Sequence, residues 1–294
     1  MAGRSAEGRL AGAHPEPCIA LMRTARLSST HMPMRRRHLL QLTAGPVLAA
    51  VGDLASSQRA QRPALVAGTV FARLFEPVPG AGSATRPQGF AVDLLDALLL
   101  PAGIAPTYEL FPWLRAQAMI EQGSAQILVG PYRTREREAR MRFSSQAFYE
   151  DAMVFYARAG QHDLWRDDFN ALRTLQIGTV HGWVYGERFE QARRHLTVTQ
   201  VRDLPTALRM LHLGRLDLIA ANQRNSEPVV QELGLGAGVV MCQPPFARLR
   251  GHFAFTLDAE GAEWAALVDT GMQRLRASGE LARLAARWGV SLPG

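Results

Sequence analysis

The chain has 294 residues, of which 47% are hydrophobic and 20% are charged, and this composition excludes an intrinsically disordered chain. All 33 basic residues are arginines, and together with 26 acidic residues they give a net charge of +7. The excess lies mainly in residues 1–60, where 8 arginines face 3 acidic residues, while the rest of the chain has 25 arginines and 23 acidic residues. Nucleic-acid binding requires basic charge on the folded part, so this distribution argues against it.

The N-terminal segment has the pattern of an export signal. Residues 34–38 (MRRRH) are basic, and residues 39–51 form a mostly apolar run of 13 residues. That run has the length of a signal-peptide core and is too short to span a bilayer. We therefore predict a signal peptide over residues 34–60 and a periplasmic location. Three alanines are candidate cleavage points: Ala60, which we favour, Ala50 and Ala55.

The export route and the start of translation stay open. The pair Arg36–Arg37 resembles the twin-arginine export signal, although arginine-rich segments also serve the general secretory route. A buried N-terminal helix is the alternative to a signal peptide. Residues 1–33 have no usable periodicity, and we expect them to be disordered or to precede the true start codon.

The cysteine count limits the chemistry of the exported part. Cys18 and Cys242 lie on opposite sides of the expected cleavage point, which leaves one thiol after cleavage. A disulfide framework and a cysteine-based zinc site are therefore excluded. We expect no cofactor and no bound metal.

After residue 61 the sequence alternates strand-like and helix-like segments. In chain order the first half is predicted as strand, loop, helix, strand, helix and strand, over residues 64–69, 76–89, 91–100, 104–111, 112–123 and 126–130. Pro101 stops the first helix. Pro112 begins the second helix and Gly123 ends it, because proline suits a first helical turn and glycine the position after the last turn.

The second half repeats this scheme. It is predicted as strand, helix, strand, helix and strand over residues 175–180, 184–194, 196–201, 203–214 and 217–221, followed by a strand and two helices over residues 252–257, 261–276 and 279–288. Asp203 caps the helix that ends at Gly214. Such alternation predicts parallel sheets covered by helices on both faces, and two units of roughly 90 residues predict two lobes.

Ligands of open parallel sheets bind beyond the carboxyl ends of the strands. The residues that follow the predicted strands are aromatic, cationic or hydrogen-bonding: Trp113, Pro131, Tyr132, Arg133, Thr134, Arg135, Glu136, Arg137, His181, Gly182, Trp183, Tyr185 and Asn222. They contain no obvious pair of a nucleophile with a base. The set therefore indicates a recognition surface.

Five short segments carry a family resemblance. They are Gly89–Leu95 (GFAVDLL), Pro112-Trp113, Thr134–Arg137 (TRER) with Phe143-Ser144, Ile177–Gly182 and Gly214–Asp217 (GRLD). In this order and spacing, over about residues 64–290, the chain resembles the family 3 periplasmic solute-binding proteins, the polar-amino-acid receptors of ABC importers. The resemblance implies an α/β fold of two lobes, each a mostly parallel sheet flanked by helices, which close on a small ligand.

The resemblance also implies an organisation and partners. Two crossover strands would join the lobes as a hinge. Lobe 1 would comprise residues 61–150 and a C-terminal return over residues 246–294, and lobe 2 residues 151–245. The expected partners are a small-molecule ligand and, transiently, an ABC permease in the inner membrane, and we expect a monomer.

The resemblance assigns roles to lobe 1 residues. The family motif Thr-x-x-Arg falls on Thr134 and Arg137, and in amino-acid receptors this arginine binds the α-carboxylate of the ligand through a bidentate fork. A surface arginine paired with Glu136 or Glu138 is the alternative. Trp113 matches a position where the family stacks an aromatic ring on the ligand, and a core tryptophan at a helix start is the alternative.

Other expected ligand-binding positions carry departures from the family pattern. Gly182 and Trp183 fall where a lobe 2 helix is expected to begin, so free backbone N–H groups there could bind an anion. Trp183 stands where amino-acid receptors commonly have threonine. Asn222 stands where they usually have aspartate, which pairs with the α-ammonium group, and an asparagine supplies no negative charge. Small hydroxyl residues are expected just before Arg137, and Gly130, Pro131 and Tyr132 replace them; Tyr132 is also expected at the ligand.

These departures leave the ligand open. A small carboxylate, a modified amino acid and an aromatic solute are all compatible with the residues. Two other functions are alternatives to an importer receptor. The first is a periplasmic enzyme resembling cyclohexadienyl dehydratases, with His181, Glu76 or Glu150 as general acid or base. The second is an accessory or sensor protein that binds a ligand without transport.

Overall fold

The computed structural model describes residues 62–294, except residues 81, 83 and 84. The predicted signal peptide, the residues before it and Cys18 lie outside the described residues. Cys242 is buried, and burial raises the pKa of its thiol to about 11. Over the part of the chain that is described, no helix has the length and apolar character needed to cross a bilayer.

The described chain contains ten strands, eight α-helices and four short 3-10 helices. The strands are β1 (Arg62–Gly68), β2 (Ile104–Leu110), β3 (Ile127–Tyr132), β4 (Arg142–Phe143), β5 (Tyr149–Arg158), β6 (Gln176–Val180), β7 (Thr197–Val201), β8 (Leu218–Asn222), β9 (Val239–Met241) and β10 (Ala247–Phe255). The helices are α1 (Phe90–Leu99), α2 (Trp113–Glu121), α3 (Arg135–Glu138), α4 (Glu187–Ala192), α5 (Leu204–His212), α6 (Gln223–Glu232), α7 (Ala259–Ala277) and α8 (Glu280–Trp288).

One sheet runs through the described chain in the order β2-β1-β3-β10-β5-β8-β6-β7, with β4 added to β10 and β9 to β5. Strands β1, β2 and β3 are parallel to one another, and so are β6, β7 and β8. The long strands β5 and β10 are antiparallel to each other and to the parallel groups that they join. This arrangement confirms the expected two-lobed, periplasmic-binding-protein-like α/β fold with two crossover strands.

Each parallel group has its own hydrophobic core. We call the half that contains β1–β4, α1–α3, α7 and α8 lobe 1, and the half that contains β6–β9 and α4–α6 lobe 2. Lobe 1 packs Phe148 face to face on Phe253, with ring centroids 4.1 Å apart. Lobe 2 packs Phe155 between Trp165 and Phe246. The lobe boundaries expected from the sequence stay a prediction.

One predicted helix begins later than expected. Residues 184–194 were expected to be helical, but α4 begins only at Glu187, after Gly186, whose φ is 88°; it runs to Ala192 and is continued by a short 3-10 helix over Arg193–His195. The cause is Tyr185, which is fully buried in lobe 2 and whose hydroxyl accepts a 2.6 Å hydrogen bond from the backbone N–H of Val180. With this bond in place, residues 181–186 form a turn followed by an irregular segment, and α4 begins only at Glu187.

Other elements are longer than expected or were not predicted. Strand β3 extends to Tyr132, two residues beyond the predicted end, and β10 begins at Ala247, five residues before the predicted start. The crossover strand β5 and helix α6 have no predicted counterpart by residue range. Helix α6 is polar and contains Pro228, which hides its helical pattern in the sequence.

Replacing Gly251 with alanine should destabilise the fold. A Cβ at Gly251 of β10 would lie 1.8 Å from the ring of Tyr149 on β5, the residue directly opposite in the sheet. Tyr149 is fixed, because it is buried and its hydroxyl donates to the carbonyl of Gly130 at 2.7 Å. Overpacking of this kind costs about 1–3 kcal/mol, measurable by urea denaturation.

A matched control for this substitution is Gly236→Ala. Nothing lies within 4 Å of a Cβ at Gly236, so its free energy of unfolding should change by no more than about 0.5 kcal/mol. Equal effects at both positions would contradict the packing of Tyr149 over Gly251.

Candidate functional site

A small chamber lies between the lobes at the carboxyl ends of the parallel strands. Its volume is about 20 Å³, and its lining residues are Phe71, Trp113, Gly130, Tyr132, Arg137, Trp183, Val184 and Asn222. Five of the six residues expected at the ligand line it, and the sixth, Gly182, hydrogen-bonds two of them. Arg137, Trp183 and Val184 also line an outer groove of about 820 Å³ between the lobes.

The Thr-x-x-Arg spacing has a local structural cause. Thr134 is the N-cap of the short helix α3, and its hydroxyl oxygen accepts a 3.2 Å hydrogen bond from the backbone N–H of Arg137. A threonine three residues before the arginine therefore closes the helical turn that holds Arg137. This turn directs the Arg137 side chain back toward the end of β3.

Replacing Thr134 with alanine should loosen this turn. Loss of an N-cap costs about 1 kcal/mol, so amide hydrogen exchange at Arg137 should accelerate about fivefold. Exchange resolved by NMR or mass spectrometry measures this directly. Thr134→Ser keeps the hydroxyl and should restore slow exchange, and fast exchange in the serine variant would contradict a capping role.

Arg137 is a buried cation without a carboxylate partner. Its side chain is only 5% exposed, and Nη1 donates to the carbonyl of Tyr132 at 3.0 Å while Nη2 donates to the carbonyl of Gly182 in lobe 2 at 3.2 Å. Among the described residues no carboxylate lies within ion-pair distance of it. Burial lowers the pKa of Arg137, but a guanidinium remains charged at neutral pH. The alternative of a solvated surface arginine paired with Glu136 or Glu138 does not fit this geometry.

Trp113 is the second donor at the same point. It is the first residue of α2, and its indole Nε1 donates to the carbonyl of Gly182 at 3.1 Å. Its ring packs edge to face against Phe71, with ring centroids 5.5 Å apart, and the Arg137 guanidinium lies 5.4 Å from the centroid of the Trp113 ring. The Gly182 oxygen therefore lies between an indole and a guanidinium donor, a position that suits an anionic oxygen.

Gly182 and Trp183 do not begin a helix, contrary to expectation. They lie in the turn before α4, and the backbone N–H of Trp183 donates to the carbonyl of Val180 at 3.2 Å. Gly182 contributes its carbonyl to the contact between the lobes instead. Its φ is 75°, which favours glycine in this turn, and a Cβ there would lie 2.9 Å from the end of the Leu114 side chain of lobe 1.

A second buried arginine is fully paired. Arg224, in the first turn of α6, binds Asp151 of β5 through two parallel bonds, Nε to Oδ1 at 2.9 Å and Nη2 to Oδ2 at 2.7 Å. Asp151 also accepts from the Tyr132 hydroxyl at 2.6 Å. Burial alone lowers the pKa of Arg224, but the attraction of Asp151 raises it above the ordinary value. Burial and the neighbouring Asp151 together raise the pKa of Tyr132, so its hydroxyl stays protonated.

The same arginine connects the two lobes. Its Nη1 donates to the carbonyl of Ala72 in lobe 1 at 2.6 Å. The neighbouring Asn225 accepts from the backbone N–H of Ala72 at 3.0 Å. The N-terminus of α6 therefore contacts the loop after β1, the loop that also carries the chamber residue Phe71.

Asn222 is the last residue of β8 and the N-cap of α6. Its Oδ1 accepts from the backbone N–H of Asn225 at 2.9 Å, and its carbonyl accepts from the Ser226 hydroxyl at 2.7 Å. The side chain is buried and lines the chamber. Its oxygen already accepts one bond in the cap, whereas its amide nitrogen donates to no group among the described residues.

The sequence matches the family model of the bacterial extracellular solute-binding proteins, family 3, over residues 73–291. The chain belongs to this family. No functionally curated protein matches it.

Solved structures share the fold of this family 3 protein at low sequence identity. A histidine kinase sensor domain with similarity to periplasmic binding proteins has a TM-score of 0.69 and 19% identity, over 80% of this chain and 99% of that one. An ancestral arginine-binding protein bound to arginine has a TM-score of 0.65 and 15% identity, over 78% of this chain and 99% of that one. A substrate-binding protein of an ABC uptake transporter from Streptococcus pneumoniae, with bound histidine, has a TM-score of 0.64 and 14% identity, over 77% of this chain and 92% of that one.

The three candidate general acids or bases of this family 3 protein lie in different places. His181 is exposed in the outer groove, and Glu150 pairs with Arg250 at 3.3 Å beside a different groove. Glu76 accepts from the backbone N–H of Arg73 within lobe 1. None of the three lines the chamber. Members of this family are typically solute-binding proteins, although enzymes can share this scaffold.

The sequence reasoning missed several residues of the site. Phe71 follows the end of β1 and Arg224 follows Asn222, so an inspection of every strand end, continued for two or three more residues, would have found both. Asp151 gives no such local signal. It lies within the crossover strand β5, and only the pairing of β5 with β8 brings it close to α6.

Proposed function

We propose that this family 3 protein is an exported receptor of an ABC importer that binds a small, carboxylate-bearing solute between its two lobes. The observation that carries the proposal is Arg137, a charge that is 5% exposed and has only backbone carbonyls as partners among the described residues. Burying a cation without a counter-charge is unfavourable. An anionic ligand would supply that charge.

The position of the ligand follows from the donors. In this arrangement the Gly182 carbonyl accepts from both Trp113 Nε1 and Arg137 Nη2. A carboxylate oxygen at the same point would receive the same two bonds and would add the negative charge that a carbonyl lacks. Gly182 would then move away with lobe 2 by a small amount.

Entry of the ligand requires the lobes to separate. The chamber of about 20 Å³ has room for roughly one water molecule. We infer a hinge motion in which β5 and β10 bend, the lobes open, and a bound solute shifts the equilibrium toward the closed form. In the inferred transport cycle a permease in the inner membrane recognises that closed form.

A thermal-shift screen tests the binding function. The purified exported part is screened against amino acids, small organic acids and polyamines. At least one carboxylate should raise Tm, because a ligand at a hundredfold excess over Kd stabilises by about 2.7 kcal/mol, or roughly 5–10 °C for a protein of this size. Polyamines should not. Stabilisation by polyamines alone, or by no compound of the panel, would contradict the proposal.

Transport is tested separately. In the native bacterium, deletion of the gene should abolish high-affinity uptake of the acid that binds best. Uptake at the wild-type rate would contradict the importer role while leaving the binding function in place, and an accessory or sensor role would then be favoured.

A further inference from the structure

We propose that the solute is a carboxylate that lacks an ammonium group, with an apolar or aromatic body, and not an α-amino acid. This rests on the proposed binding function and specifies the ligand class. It follows from the three side-chain donors that line the chamber and from the absence of a carboxylate among its described lining residues.

The donors come from three side chains. Arg137 Nη2 and Trp113 Nε1 point at one oxygen position, now held by the Gly182 carbonyl. Asn222 supplies the third, since its oxygen accepts from the N–H of Asn225 and its Nδ2 has no hydrogen-bond partner among the described residues. An ammonium group is itself only a donor and cannot form a hydrogen bond with these donor atoms.

Each nearby acceptor already receives at least one hydrogen bond. Asp151 is linked to the chamber through Tyr132, but its Oδ1 accepts from Arg224 and its Oδ2 accepts from both Arg224 and Tyr132. Its charge is neutralised by the fork of Arg224. The Gly130 carbonyl accepts from the Tyr149 hydroxyl, and the Tyr132 carbonyl accepts from Arg137.

Charge favours the same ligand class. Arg137 is the one charged residue among those that line the chamber. A single carboxylate balances it. The zwitterion of an amino acid would place a second buried cation near the guanidinium without a carboxylate to pair with it, which is unfavourable in a desolvated site.

The remaining walls are apolar. Four aromatic rings, those of Phe71, Trp113, Tyr132 and Trp183, surround the chamber together with Val184. Their faces suit a hydrocarbon or aromatic group attached to the carboxylate.

Matched ligands of the same body test the proposal by isothermal titration calorimetry. Three sets are used: alanine, propionate and ethylamine; leucine, isocaproate and isoamylamine; phenylalanine, hydrocinnamate and phenethylamine. In at least one set the acid without an ammonium group should bind about tenfold or more tightly than the amino acid, and the amine should not bind.

The outcomes separate this inference from the binding function. If an amino acid binds more tightly than its deaminated acid in every set that binds, the inference is overturned and the receptor function stands. If only amines bind, or no member of any set binds, the inference and the proposed receptor function are both overturned.

The variant Asn222→Asp tests the cause of the preference. Aspartate is as good an N-cap as asparagine, so Oδ1 keeps its bond to Asn225 while Oδ2 adds a negative charge at the chamber. Affinity for the amino acid of the best set should rise and affinity for the acid should fall, each by about tenfold. An unchanged ratio of the two affinities in the folded variant overturns the role of Asn222 in ligand choice and, with it, the inference.

Discussion

Replacing Arg137 with glutamine is expected to weaken carboxylate binding by about thirtyfold to several thousandfold. The variant removes the buried positive charge and the Nη2 donor that faces the chamber. Loss of one partner of a buried, hydrogen-bonded charge pair costs about 2–5 kcal/mol, and each 1.4 kcal/mol is a tenfold change in Kd. Calorimetry with the acid that binds best in the wild type measures the change.

The same variant should keep or gain stability in the absence of ligand. A cation with no carboxylate partner is a cost to the folded state, so its removal should not lower the free energy of unfolding. Arg142→Gln, at an exposed arginine of lobe 1 outside the chamber, is the matched control and should leave binding unchanged. A destabilised Arg137→Gln with intact binding would show a structural arginine and contradict the proposed role.

Replacing Asp151 with asparagine is expected to destabilise the protein by about 3–5 kcal/mol. Arg224 is 9% exposed, and its two-bond fork to Asp151 is its only ion pair among the described residues. Without the carboxylate the buried guanidinium is left uncompensated, and the Tyr132 hydroxyl loses its charged acceptor. Urea denaturation measures the loss.

A double-mutant cycle measures the interaction energy between Asp151 and Arg224. Asp151→Asn with Arg224→Met should cost clearly less than the sum of the two single changes, because the second substitution removes the charge that the first one strands. Arg283→Gln, which breaks the exposed pair with Glu280, should change stability by less than about 0.5 kcal/mol. Additive single effects would contradict a buried pair.

The ends of the parallel strands were the most predictable part of the site. Trp113, Tyr132, Arg137, Gly182, Trp183 and Asn222 follow or end four different strands, and the fold gathers them because parallel strands end at one edge of each lobe. The Thr134 cap is local in sequence and explains why the motif has its spacing. These features depend on short-range sequence patterns, which can be recognised in a single sequence.

The rest depends on long-range packing. The turn at Gly182 exists because the Tyr185 side chain is buried and binds the backbone of Val180, and the helical pattern of residues 184–194 gives no sign of this. Asp151 meets Arg224 across 73 residues of chain. The pairing of β5 with β8 brings Asp151 close to Arg224, and the packing of Tyr185 in the lobe 2 core holds the turn. The sequence pattern of either segment alone does not show these contacts.

A crystal structure of the protein with its best-binding acid tests the central claim most directly. We predict one carboxylate oxygen within hydrogen-bond distance of both Arg137 Nη2 and Trp113 Nε1, in the place that the Gly182 carbonyl now occupies. An acid bound in the outer groove, with the guanidinium of Arg137 still held by the carbonyls of Tyr132 and Gly182, would contradict the account.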